Sequence, residues 1–85
     1  MDTANIKHIV KLILADVSGK QYPCINDQHI LEKDLEVDSL DMVEIIMDCE
    51  KKLDLHISDA EVEFAKKWSV EDFVNYIIKQ VEIQH

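Results

Sequence analysis

The sequence predicts an all-α fold: a small four-helix bundle of three longer helices and one short helix, with a long loop between the first and second. Three observations predict it. Apolar residues recur at helical spacing in three separate stretches, and no stretch alternates as a half-buried strand does. One Gly and one Pro in 85 residues leave little to interrupt a helix. Capping signatures precede the later helical stretches: Asp38 with Asp41, Ser58 with Glu61 and Ser69 with Asp72. At this length the chain, 1–85, reads as a single domain, and a hydrophobic content of 47% is enough for a modest core.

The first helix follows from Ile6, Ile9, Val10, Ile13, Leu14 and Val17, which fall on one stripe with Lys7, Lys11 and Asp16 off it. Asp2, Thr3 and Asn5 are all competent N-caps, and Ser18-Gly19 is the stop, with Gly19 free to adopt the left-handed C′ conformation. Residues 20–37 have no period, and Pro23 and Asn26-Asp27 mark a loop. A loop this long has to be pinned. Tyr22, Ile25, Ile30, Leu31, Leu35 and Val37 are the candidates to pin it, with a helical turn expected around Gln28 to Glu32. The second helix begins at Asp38, with Asp41 completing a capping box and Val37 and Met42 placed as a hydrophobic staple, and runs to about Lys52. Ser58-Asp59-Ala60-Glu61 opens the short third helix. Ser69 opens the last, whose stripe is Val70, Phe73, Val74, Ile77, Ile78 and Val81 and whose end is expected to fray near Glu82.

The second helix carries the functional signal. Spaced at ~100° per residue, Met42, Ile45, Ile46, Cys49 and Leu53 gather on one side and face the core. Leu40, Val43 and Met47 form a second apolar strip, bordered by Asp41, Glu44 and Asp48 on one flank and Glu50 on the other. Packing a core requires only one apolar face. The second strip reads either as a docking surface for basic, partly apolar partners or as a face covered by the long loop. Ser39 stands in the first turn, where free N–H groups and the helix dipole favour a phosphate.

Composition excludes several classes. The formal net charge is −9 and all nine basic residues are lysine, which argues against nucleic acid or an anionic membrane as partner. Acidity of this degree serves solubility, steering toward basic protein surfaces, or both. Cys24 and Cys49 form no disulfide framework and, like His8, His29, His56 and His85, have no metal-ligand spacing. Asp38, Asp41, Glu44 and Asp48 lie along a helix and not in a calcium loop, so no metal site is expected. Ser39 lacks a nucleophile elbow and an evident histidine base, so no catalytic residue is assigned. Without a signal sequence or an apolar run of ~20 residues, the chain is expected to be cytoplasmic.

Leu35-Glu36-Val37-Asp38-Ser39-Leu40-Asp41-Met42-Val43-Glu44 resembles the Asp-Ser-Leu region of acyl carrier proteins. The likeness runs from about Ile6 to Ile83 and includes the first helix, the long loop, Asp34-Leu35, Leu55-His56-Ile57 and Asn75-Tyr76-Ile77. The resemblance implies that Ser39 receives 4′-phosphopantetheine from coenzyme A through a separate phosphopantetheinyl transferase. The thiol of that arm then holds acyl groups, fatty or related, as thioesters. Asp38 matches the acidic neighbour of the attachment serine. Leu40, Asp41, Val43, Glu44, Met47 and Asp48 match the helix that partner enzymes read, and Ile46, Cys49, Val62 and Tyr76 are implicated in sheltering the acyl chain. The resemblance thus implies a monomeric carrier and not an enzyme. Its partners would be acyl-transferring, condensing or acyl-activating enzymes with basic docking surfaces. An unmodified helical adaptor and a specialised polyketide or amino-acyl carrier are the alternatives; Leu40-Asp41 after the serine favours the fatty-acyl type. Three features depart from the family pattern. Glu36 replaces a common glycine, the stretch from Ile57 to Ser69-Val70 is about two residues longer, and Phe64, Trp68 and Phe73 stand near where smaller residues often line the cavity.

Overall fold

A computed structural model describes residues 2–85 of the chain. Among them are four α-helices: α1 (Thr3–Ser18), α2 (Ser39–Leu53), α3 (Asp59–Ala65) and α4 (Val70–Gln84). α1 packs against both α2 and α4, and α3 lies against α2. The core is one continuous cluster to which every long helix contributes its predicted stripe. Ile6, Val10, Ile13 and Leu14 come from α1, Met42, Ile45, Ile46, Cys49 and Leu53 from α2, and Val70, Phe73, Val74, Ile77 and Val81 from α4. Phe73 is its largest fully buried side chain.

Local chemistry sets the ends of the helices. The Asp2 carboxylate accepts from the Ala4 N–H at 3.2 Å, which selects Asp2 among the three candidate caps of α1. Gly19, at φ 74°, closes α1, and the Lys20 N–H reaches back to the Ala15 carbonyl at 3.1 Å. Ser58 caps α3 through the Ala60 N–H, and Ser69 caps α4 through the Asp72 N–H. α4 does not fray at Glu82 but continues to Gln84. Its last residues are tied down: the Gln84 amide bonds both the N–H and the carbonyl of His56, and the His85 Nε2–H points at the carbonyls of Leu53 and Asp54. Those side-chain bonds lie far apart in sequence and have no periodic signature.

The long loop is pinned on two sides. Ile25, Leu31, Leu35 and Val37 are buried in the core, while Tyr22 and Ile30 are half-buried at its edge. Its one-turn helix is a 3-10 turn at Tyr22–Cys24, started by Pro23, and not at Gln28 to Glu32. Residues 28–32 instead follow the turn between α3 and α4. The N–H groups of Leu31 and Glu32 donate to the carbonyls of Trp68 and Lys66 at 3.0 and 2.8 Å, and those of Val70 and Glu71 donate to the carbonyls of His29 and Asp27 at 2.8 and 3.0 Å. The turn between α3 and α4 thus supplies a backbone edge on which the loop is laid, with an antiparallel bridge between Ile30 and Ser69 at its centre. On the other side, Lys7 and Lys11 of α1 meet the Asp27 carboxylate at 2.9 and 2.6 Å.

Candidate functional site at the start of the second helix

Asp38 leaves the helix in extended conformation. Its carboxylate accepts from the Asp41 N–H at 2.8 Å, and the Asp41 carboxylate accepts in return from the Asp38 N–H at 3.2 Å. This is the predicted capping box, flanked by buried Val37 and Met42. It fixes the first turn and leaves Ser39, its first helical residue, exposed with its hydroxyl at the surface. Lys51 and Lys52 occupy the last turn, so the charges at both ends follow the helix dipole.

Lys66 reaches Ser39, and Glu32 reaches Lys66. The Lys66 ammonium, from the turn after α3, donates to Ser39 Oγ at 3.4 Å, and it pairs with the Glu32 carboxylate of the long loop, also at 3.4 Å. Helical periodicity gives no sign of this, because Lys66 lies outside the helices and 27 positions from Ser39. The backbone bond between Glu32 and Lys66 is what brings the loop and the turn together beside the serine.

A cleft of about 360 Å³ opens beside the serine between α2 and α3, lined by Ser39, Met42, Val43, Val62, Glu63 and Lys66. Of the four residues expected to shelter an acyl chain, only Val62 borders it. Ile46 and Cys49 are closed into the core at 5% and 0% exposure. Tyr76 lies at a separate depression, its ring 5.2 Å from that of Trp68. Phe64, Trp68 and Phe73 do not act as a group: Phe73 fills the core, Trp68 is half-buried and Phe64 stands in solvent at 68% exposure.

The second apolar strip of α2 is not covered by the loop. Leu40, Val43 and Met47 are exposed at 81%, 48% and 61%. Glu44 is exposed beside them, and Asp41 and Asp48 are half-buried. Asp41 spends one carboxylate oxygen on the capping box, and Glu50 accepts from the Ile57 N–H at 2.9 Å, so neither is wholly free to meet a partner.

Burial, and then the neighbouring charges of Asp48 and Glu50, push the Cys49 thiol up to about 12. Burial, and after it the neighbouring Glu61 carboxylate, raises the Tyr76 phenol above its ordinary range. Ser58 caps α3 at the Ala60 N–H, and the Glu61 N–H donates to the Ser58 carbonyl at 3.1 Å. Among the described residues no group of three or more His, Cys, Asp or Glu is placed to hold a metal ion, and no helix is long and apolar enough to cross a membrane.

The family profile described as "Phosphopantetheine attachment site" matches residues 8–77, which takes in the whole site. The chain is also similar to proteins named acyl carrier protein. That of Rubrobacter xylanophilus is 35% identical over 79 residues, covering 93% of this chain and 95% of the relative. That of Chlamydia felis is 40% identical over 68 residues, covering 80% and 85%. That of Clostridium acetobutylicum is 42% identical over 73 residues, covering 86% and 92%. The chain belongs to the acyl carrier protein family. The prosthetic group of an acyl carrier protein is a covalent 4′-phosphopantetheine, and the residues at the start of α2 fit such a group. A phosphate-linked arm requires an exposed hydroxyl, room beside it and positive potential for the phosphate. Ser39, the cleft, and Lys66 with the N-terminus of α2 supply these in turn.

Proposed function

We propose that Ser39 is the attachment point of the 4′-phosphopantetheine arm and that the protein shuttles acyl groups, of fatty acids or related chains, between enzymes. The carrying observation is the placement of one exposed hydroxyl on the first turn of α2, beside a lysine and an open cleft. The arm, when attached, supplies the thiol that holds acyl groups as thioesters. The chain's own residues do the rest. Asp38 and Asp41 hold the first turn rigid, so that the Ser39 hydroxyl meets a phosphopantetheinyl transferase in one orientation. Leu40, Val43 and Met47, with Glu44 and the free edges of Asp41 and Asp48, form the surface that enzymes with basic, partly apolar docking faces read. Charge steering at such a surface gives fast association and ready release, which suits a shuttle. The cleft at Val62 is the entrance through which a chain begins to shelter. Reaching Ile46 and Cys49 requires α2 and α3 to part, and Tyr76 is reached only after a larger change.

Incubation with coenzyme A and a phosphopantetheinyl transferase is expected to add the mass of one arm to the wild-type chain and none to Ser39→Ala. The Ser39→Ala chain should keep its fold within about 0.5 kcal/mol, because Asp38 and not Ser39 caps the helix. An unchanged wild-type mass with several competent transferases overturns the proposal and favours an adaptor that docks without modification.

A further inference from the structure

Loading Ser39 adds a negative charge to a chain whose formal net charge is already −9, beside Asp38 and within one turn of Asp41. The N-terminus of α2 offsets part of that charge, and a cation within reach offsets more. Lys66 is the cation in position, with its ammonium 3.4 Å from Ser39 Oγ. Its side chain is mostly shielded, and its backbone carbonyl accepts the Glu32 N–H at 2.8 Å, so the turn that carries it is held against the loop. The same Glu32 offers its carboxylate to the Lys66 ammonium at 3.4 Å. Both of these contacts are long for a charge-assisted bond, which leaves the ammonium shared between a weak acid partner and a hydroxyl.

We infer that Lys66 is the positioning residue for the phosphodiester of the loaded carrier, and that Glu32 holds its ammonium at the serine until the phosphate replaces the carboxylate as its partner. The inference rests on Ser39 being the attachment point. Loading trades a long Lys66–Glu32 pair for a closer pair with the phosphate and ties the base of the arm to the turn between α3 and α4. Because that turn carries the loop, the charge at Ser39 then adds to the hold on 28–32 instead of loosening it.

The test compares melting temperatures of the unloaded and loaded forms of wild type, Lys66→Gln, Lys66→Arg and Glu32→Gln, each loading verified by intact mass. The loaded-minus-unloaded difference should be lower in Lys66→Gln than in wild type by about 2–4 °C, the scale of one partly shielded ion pair in a domain of this size. Lys66→Arg should restore it. Glu32→Gln should raise it above wild type, because the phosphate no longer competes with a carboxylate for the ammonium. A Lys66 with only a structural role would change both forms equally and leave the difference untouched. Equal differences in wild type and Lys66→Gln, or in wild type and Glu32→Gln should Lys66→Gln not fold, overturn the inference while the attachment at Ser39 stands. A wild-type chain that accepts no arm overturns both.

Discussion

Cys24 and Cys49 carry the same atom in opposite surroundings, and their reactivity should differ accordingly. Cys49 is sealed among the core residues of α2, where its thiol is pushed up to about 12, whereas Cys24 is exposed at the end of the 3-10 turn. Since the thiolate is the reactive form, a maleimide at neutral pH should label the native chain once, at Cys24, and twice only after denaturation. Two rapid additions to the native chain would show that the core opens far more readily than its packing implies. Glu36 is a second residue whose environment makes a prediction. Its φ is +58°, in the left-handed region that costs an ordinary side chain ~1 kcal/mol or more, and its ionic partner Lys20 is 3.6 Å from a largely exposed carboxylate. Glu36→Gly removes that strain and should stabilise the fold by about 0.5–1 kcal/mol in urea denaturation, with no change in the denaturant slope. Glycine would take this φ without strain, a backbone cause visible once the φ is known and hidden in a sequence where glutamate stands there.

At the scale of elements, the three long helices were legible because each has to bury a stripe, and a stripe is a periodic fact of sequence. Ile6 to Val17, Met42 to Leu53 and Val70 to Val81 all pack as their spacing demands, and the capping box at Asp38 and Asp41 formed as its residues predict. The capping choice at Asp2 was settled by geometry, and the continuation of α4 to Gln84 by side-chain bonds to distant backbone. The loop was only half legible. Its apolar anchors could be named, but the backbone bonds to 66–71 and the pairing of Asp27 with two lysines of α1 have no local pattern, and the same is true of Lys66 at the serine. Asp27 gives the loop a pH dependence. Its hydrogen bonds with Lys11 and then Lys7 hold its carboxyl below the ordinary value of 3.8, while Lys7 is raised above 10.5, chiefly by its hydrogen bond to Asp27. A folded carboxyl that binds its proton less tightly than the unfolded one stabilises the fold fully above pH 3.8, and the contribution fades as pH falls through the lower folded value. The raised lysine stabilises fully below pH 10.5 and loses its share as pH rises through the higher folded value. Asp27→Asn should therefore cost about 1 kcal/mol near neutral pH and flatten the acid limb of the stability curve. Chemical denaturation at intervals from about pH 6 down to about pH 2 measures it, and curves that stay parallel below pH 3.8 would mean that the two lysines do not hold the loop.

At the scale of the whole molecule, the balance of charge decides how the fold responds to salt. Eighteen acids face nine lysines, yet among the described residues the lysine pairs engage only Asp27, Glu32 and Glu36. Screening weakens those few attractions and a much larger set of repulsions, so the net effect has a definite sign. The Debye length is about 30 Å at 10 mM ionic strength and about 8 Å at 150 mM. The molecule measures 31 × 27 × 18 Å, so at the lower salt nearly every acid acts on every other, and at the higher only neighbours do. The melting temperature should rise between these two conditions by about 4–8 °C, the equivalent of about 1 kcal/mol for a domain of this size. Magnesium at matched ionic strength should raise it further, because a divalent ion gathers at the crowded acids of α2 more strongly than sodium does. The same screening should weaken association with a basic enzyme surface while it strengthens the fold. A titration of salt that moved stability and partner affinity in the same direction, or left the melting temperature unchanged, would contradict a self-repelling acidic surface built to be met by positive charge.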